Sequence, residues 1–261
     1  MDISISKDHF TLGEAAGIAA AQLIRETIDQ EGSANIILAT GTSQFETLNQ
    51  LVKDREIDWS KVVMFHLDEY IGLPLSHPAS FRKYLKERFL SKVGALKATH
   101  LINGETDPEA ECNRLRDLIL QHPIHVALVG IGENGHLAFN DPPADFDTDE
   151  PYIIVDLDEA CRKQQYGEGW FKSIKDVPAQ AISMSVRQIL KSKNVICSVP
   201  DGRKALAVQN CLEQPVSNLF PASILQTHER CTLFLDKTSS AHVSRYRIEQ
   251  INGYSGRYLQ N

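Results

Sequence analysis

Four segments carry residue types that can move a proton or hold an anion, and each follows a short apolar run. Leu67-Asp68-Glu69-Tyr70 sets two adjacent carboxylates behind Lys61–Leu67. A carboxylate at a buried strand end is costly unless it is hydrogen-bonded or used, and a site that tunes its pKa makes it a general base. The competing reading is that one of the pair caps the segment that follows. Gly130-Ile131-Gly132-Glu133-Asn134-Gly135 leads directly into His136. A histidine in a glycine loop is poorly explained as core packing, whereas it titrates near neutral pH and can carry a proton. Asn134, Asn140 and Asp141 share its loop, and Asp141 is placed to orient the ring.

Thr40-Gly41-Thr42-Ser43 follows Asn35–Ala39. Backbone N–H groups at a glycine turn opening a helix, with hydroxyls beside them, suit a phosphate. An ordinary turn with Ser43 as a helix cap fits equally well. No Gly-Lys-Ser/Thr follows, so this is not a Walker loop. Pro200-Asp201-Gly202-Arg203-Lys204-Ala205 joins an apolar run to a helix. Lys204 can set its ammonium on a phosphate as a point charge, or be a solvated surface lysine.

The glycine loop also matches GxGxxG, with Asp156 about 20 residues on, as a dinucleotide site has it. That fingerprint requires a helix starting inside the loop. Asn140-Asp141-Pro142-Pro143 interrupts too soon, because proline in a helix interior costs about 3 kcal/mol. The segment is therefore expected to be a loop that presents side chains, not a cofactor cradle.

Helices and strands must position these four points. Residues 11–30 and 108–121 have apolar positions at helical spacing, and 80–93 is also expected to be helical. Strands are expected at 35–39, 61–67, 124–129, 152–155, 181–186, 194–199 and 231–235. Apolar strands alternating with helices imply an α/β fold, a doubly wound and mostly parallel sheet in a Rossmann-like α/β/α sandwich. Ligands collect beyond the carboxyl ends of such strands, where the four segments fall. No linker or repeat divides the chain, so a single domain over residues 1–261 is expected.

Composition narrows the partners. A chain of 261 residues with 42% hydrophobic and 23% charged residues is an ordinary globular one, not a disordered or fibrous one. The formal charge of −7 argues against nucleic acid or an anionic membrane, but not against a small anion in a local positive pocket. No apolar run approaches the roughly 18 residues of a membrane span, and the start of the chain does not read as a secretion signal. The five cysteines, Cys112, Cys161, Cys197, Cys211 and Cys231, lack any CxxC spacing and are expected to be reduced thiols of a cytoplasmic protein. Nothing completes a metal site around His122 and His125, so no metal is expected.

Taken in order, the segments resemble the glucosamine-6-phosphate deaminase family, also called glucosamine-6-phosphate isomerases, over nearly the whole chain. The stretches that carry the resemblance are Leu38–Gly41, Leu67-Asp68-Glu69-Tyr70-Ile71-Gly72-Leu73-Pro74 with His77-Pro78, Gly130–Pro142, and Arg203-Lys204-Ala205. The related 6-phosphogluconolactonases share the fold and a Gly-His loop, but the second and third stretches look like the deaminase side.

The resemblance implies conversion of glucosamine 6-phosphate and water into fructose 6-phosphate and ammonia, with no metal or organic cofactor. It implies that His136 opens the sugar ring, that Asp141 and Asn134 hold it, and that Asp68 moves a proton from C2 to C1. Thr40, Gly41, Thr42, Ser43 and Lys204 would bind the 6-phosphate. The implied partner is a small sugar phosphate, and assembly into a homo-oligomer stays open. Against the family's pattern, Asp141 stands where Glu is usual, Asn134 where many members have Asp, and Thr42-Ser43-Gln44 where a second Gly and a Thr-Pro are common. An expected phosphate-binding Arg is missing from Gly167-Glu168-Gly169-Trp170-Phe171, with Arg162 the nearest candidate substitute. The basic residues of the allosteric site known in some members have no match around Pro151-Tyr152-Ile153, so activation by an N-acetylated amino-sugar phosphate is not expected. Galactosamine 6-phosphate or 6-phosphogluconolactone as substrate, or a sugar-phosphate sensor without chemistry, are the alternatives.

Overall fold

The computed structural model describes residues 1–255. Strand β1 (Asp2–Ser6) leads into helix α1 (His9–Glu31), β2 (Ala34–Leu38), α2 (Phe45–Leu51) and β3 (Val62–His66). There follow β4 (Asp68–Tyr70), α3 (Phe81–Leu85), β5 (Ala98–His100), α4 (Pro108–Ile119) and β6 (Val126–Val129). The remainder holds β7 (Tyr152–Asp156), α5 (Glu159–Gly167), β8 (Gln180–Met184), α6 (Val186–Leu190), β9 (Asn194–Val199), α7 (Ala205–Glu213), β10 (Cys231–Asp236) and α8 (Arg245–Ser255). Among the described residues no helix is long and apolar enough to cross a membrane.

Seven strands form one sheet in the order β1-β10-β9-β6-β2-β3-β5, every neighbouring pair parallel. The side chains of its central strands feed two apolar cores. Ile37, Val63, Phe65, Ala127 and Val129 pack into one, while Ile36, Leu38, Val62, Met64, Val126 and Leu128 pack into the other. Alternation across a pleated strand sends neighbours to opposite faces, so both faces are covered. This is the doubly wound α/β arrangement that the alternating runs imply.

Helix α1 illustrates how sequence builds the second core. Asp8 caps it by accepting from Thr11 N–H in a reciprocal capping box, and Gly32, at φ 77°, ends it in the left-handed region. Leu12, Ala16, Ala20, Ile24 and Ile28 form its buried stripe at helical spacing. Gly13 and Gly17 let α2 approach closely, since a Cβ on Gly13 would fall 2.2 Å from that of Glu46. The helix so docked is the one that follows the Thr40–Ser43 turn.

Two predicted strands do not join the main sheet. β7 covers the run at 152–155, and β8 covers that at 181–186 only as far as Met184, because Ser185 caps α6; the two pair antiparallel with each other, and β8 pairs antiparallel with β4. The reason lies in their pattern, since β7 alternates buried and exposed residues as a half-solvated antiparallel strand does. This second, smaller sheet carries Asp68. The expected helix at 80–93 is shorter too, with α3 passing at Lys86–Leu90 into a wider π-helical turn.

The chain runs β2 to β3 to β5 in one direction along the main sheet, then restarts at β6 on the other side of β2. The strand order therefore reverses between β2 and β6. The segments after β2, β3, β6 and β9 emerge together at the carboxyl ends flanking that reversal, the usual crevice for ligands in open α/β sheets.

Candidate active site

A cleft beyond those strand ends is lined by Thr40, Gly41, Thr42, Ser43, Asp68, His136 and Lys204. All seven are residues the sequence singles out. Asn134 and Asp141 stand behind His136 and do not line the cleft themselves.

The first turn after β2 has Gly41 at φ 87°, a conformation that favours glycine, and continues as a short 3₁₀ turn, Thr42–Gln44, into α2. Ser43 is not the cap of this turn, a place Gly41 takes; its hydroxyl accepts from the Gln44 side-chain amide at 3.3 Å, and the residue lines the cleft. Gln44 is buried and donates to the carbonyl of Val129 at 3.1 Å, tying this turn to the end of β6.

Asp68 and Glu69 divide the two roles proposed for adjacent carboxylates. Glu69 is fully buried and accepts from the Ser80 hydroxyl at 2.9 Å, from the N–H groups of Arg82 and Phe81 at 2.8 and 3.1 Å, and from its neighbour Tyr70. It thus satisfies the free donors at the start of α3. Asp68 faces the cleft. Burial first, and the charge of Glu69 second, push its carboxyl up to about 8. A carboxylate of that basicity is suited to taking a proton from carbon near neutral pH.

His136 sits on a tight turn in which Gly132 N–H donates to the His136 carbonyl and Gly135 N–H donates to the Gly132 carbonyl, both at 3.0 Å. Asn140 staples the loop to β8, its amide donating to the carbonyls of Leu137 and Met184. Asn140 is therefore a buried support, not a cleft residue. No helix starts in the glycine loop, so the dinucleotide motif stays without its structural context.

Nδ1 of His136 lies 3.1 Å from Oδ1 of Asp141, but off the line that a hydrogen bond needs. Asn134 braces both partners. Its amide donates to Asp141 at 3.0 Å and to Asp158 at 3.3 Å, and its carbonyl oxygen accepts the His136 N–H at 3.1 Å. Asp158, which caps α5, donates its own N–H to Asp141 at 3.2 Å. Burial works to raise the Asp141 carboxyl, but His136, Asn134 and the Asp158 N–H outweigh it and hold it below the ordinary range. An ionised carboxylate beside Nδ1 favours the tautomer that keeps its proton there and leaves Nε2 free to act.

Lys204 is 7% exposed and reaches the cleft from the turn after β9. Asp201 shapes that turn by accepting from Arg203 N–H at 3.0 Å, while its own N–H is held by Asp236 at 3.1 Å. Burial lowers the lysine's pKa, and the nearby carboxylates of Glu133 and Glu168 act in the opposite direction. Arg162 does not supply a second cation here. Its guanidinium donates to the carbonyls of Ile174 and Val177, bracing the segment after α5, and it does not line the cleft.

Three polar lining residues escape the sequence. Gln164, Gln165 and Glu168 enter from α5 and the residue after it. Glu168 belongs to the stretch where a phosphate-binding arginine is missing, so a carboxylate stands beside the cation Lys204. Burial raises its pKa, with Lys204 the next largest influence and opposing. Helix α5 is mostly polar, which gives no apolar run to mark it.

Residues 7–234 match the family model of glucosamine-6-phosphate isomerases/6-phosphogluconolactonase. A glucosamine-6-phosphate deaminase of Listeria monocytogenes is 35% identical over 234 residues, 88% of this chain and 97% of that protein. One from Streptococcus uberis is 32% identical over 231 residues, 88% of this chain and 96% of that protein. A solved monomeric glucosamine-6-phosphate deaminase superposes with a TM-score of 0.81 at 31% identity, covering 92% of this chain and 99% of that one. A putative 6-phosphogluconolactonase of Neisseria gonorrhoeae gives 0.71 at 20% identity, covering 90% and 99%, and shares the fold.

Proposed function

The chain belongs to the family of glucosamine-6-phosphate isomerases and 6-phosphogluconolactonases, and within it we propose that this protein is a glucosamine-6-phosphate deaminase. It converts glucosamine 6-phosphate and water into fructose 6-phosphate and ammonia. The observation that carries this reading is one cleft holding a buried carboxylate, a carboxylate-backed histidine and a hydroxyl-rich turn with a lysine.

The side chains divide the chemistry as follows. The 6-phosphate lies against the Thr40-Gly41-Thr42-Ser43 turn and Lys204. Nε2 of His136 takes the proton of the anomeric hydroxyl and returns one to the ring oxygen, opening the ring, while Asp141 and Asn134 hold the imidazole in register. The Asp68 carboxylate then removes the proton from C2 while O1 gains the proton given up by the C2 ammonium, generating an enolamine, and Asp68 delivers the C2 proton to C1. Water adds to the resulting C2 imine, and ammonia leaves as the ketone forms. Positioned proton transfer of this kind contributes about 10²- to 10⁴-fold in rate.

On this reading the protein works as one sugar-phosphate domain over residues 1–261, in the cytoplasm, with a small sugar phosphate as its partner and no nucleic acid or membrane. A second reading, action on galactosamine 6-phosphate or 6-phosphogluconolactone, is favoured by one feature, the carboxylate of Glu168 where a phosphate-binding cation is expected. Parallel assays of ammonia release from the two amino-sugar phosphates, and of hydrolysis of the lactone, separate them. Glucosamine 6-phosphate is expected to give the highest kcat/KM; preference for either alternative would replace the reading.

A further inference from the structure

Beneath the proton-carrying histidine lies a third group that the deamination does not use. Cys161, on the first turn of α5, is 1% exposed. One ring nitrogen of His136, a carboxylate oxygen of Asp141 and Sγ of Cys161 all lie within 4.8 Å of one another. Nδ1 of His136 is buried without a hydrogen-bond partner, in a residue only 7% exposed. All five cysteines are free, so this thiol is not committed to a disulfide.

We propose that His136, Asp141 and Cys161 form an inhibitory site for a divalent transition metal, and that the donor set selects Zn²⁺. Imidazole nitrogen, carboxylate oxygen and thiolate sulfur in one cluster suit zinc and not the oxygen-seeking Mg²⁺ or Ca²⁺. Tetrahedral zinc with bonds of about 2.0–2.3 Å spaces its donors about 3.3–3.8 Å apart. His136 and Asp141 are already 3.1 Å apart, so the cluster closes around an ion with shifts of about an ångström or less. Three protein donors leave the fourth position to water.

Binding has a defined proton balance. The Cys161 thiol releases its proton to solvent, because only the thiolate ligates. The imidazole proton moves from Nδ1 to Nε2, which frees Nδ1 for the metal. Nε2 then presents a proton to the cleft and can no longer accept one, so ring opening stops. The same ion takes the Asp141 oxygen that orients the ring. The inhibitory half of the inference rests on His136 being the proton carrier; the binding half stands independently of it.

The test begins with a readout that needs no turnover. Reduced protein is titrated with Co²⁺ and followed by its absorption, then challenged with Zn²⁺. A single equivalent should bind with a thiolate-to-cobalt charge-transfer band that Zn²⁺ removes. Cys161→Ser should abolish the band, with Cys161→Ala as companion should serine perturb folding, and Asp141→Asn should weaken binding by about 10-fold or more. No binding, or a band that persists without Cys161, overturns the site. In the second arm Zn²⁺ should inhibit ammonia release by the wild type, while Cys161→Ser, with basal turnover unchanged, should need about 10-fold more zinc. A cobalt band with turnover indifferent to zinc overturns the inhibition. Should the protein not deaminate glucosamine 6-phosphate at all, the cobalt titration still decides the site.

Discussion

Gly132 lies under the imidazole of His136 so closely that a Cβ at position 132 would fall 2.1 Å from Cε1 of the ring and 2.2 Å from Nε2. The glycine is there to leave room for the histidine, not to approach a pyrophosphate. The loop therefore keeps its glycine pattern without the helix that a dinucleotide site would add.

Gly132→Ala should for this reason act on the chemistry more than on the fold. The added methyl must push the ring off its place beside Asp141. A misplacement of about 1 Å can cost on the order of 10²-fold in rate. Steady-state kinetics should show kcat falling by about that factor, with a cooperative melting transition retained. Unchanged kcat would mean that the ring's position is not critical.

The basicity of Asp68 gives a pH dependence with a definite sign. Burial, then Glu69, raises its carboxyl to about 8 in the folded protein, well above the ordinary aspartate value of 3.8. The active form is the carboxylate, so kcat/KM should rise with pH and level off above about 8, and a profile flat between pH 6 and 9 would refute the assignment. The linked stability runs the other way. With the folded pKa above the unfolded one, the contribution is fully present below about pH 4 and is lost as pH rises through about 8. Asp68→Asn should therefore melt higher than the wild type at pH 8, each kcal/mol showing as about 2–4 °C, and the gap should shrink toward pH 4.

Glu168 should weaken phosphate binding. Its carboxylate lines the same cleft as Thr42, Ser43 and Lys204. Glu168→Gln removes a negative charge facing a phosphate and should lower KM for glucosamine 6-phosphate by roughly fivefold, about 1 kcal/mol, with kcat little changed. Because burial raises the carboxyl's pKa, the difference should widen as pH increases and the wild-type group ionises. A KM that rises on substitution would instead make Glu168 a substrate contact.

Much of this arrangement is legible in the sequence because of where the apolar runs stop. β2, β3, β6 and β9 are wholly buried, and each stops shortly before chemistry begins, ahead of Thr40, Asp68, Gly130 and Lys204. The unread parts lack such runs. β4 consists of Asp68-Glu69-Tyr70, two of them acidic, and gains its partner only across 115 residues, when Asp68 pairs with Ser183 of β8. α5 is too polar to announce itself, so Gln164, Gln165 and Glu168 go unseen. Arg162 looks like a replacement cation by sequence distance alone; the direction of its side chain, toward Ile174 and Val177, is set by packing that no spacing encodes.

The central claim, that Asp68 and His136 move protons in one cleft on glucosamine 6-phosphate, is tested most directly by measuring ammonia release from that compound with the wild type, Asp68→Asn and His136→Gln. The wild type should turn over, and each variant should lose about 10²- to 10⁴-fold while remaining folded. Wild-type rates in Asp68→Asn would contradict it.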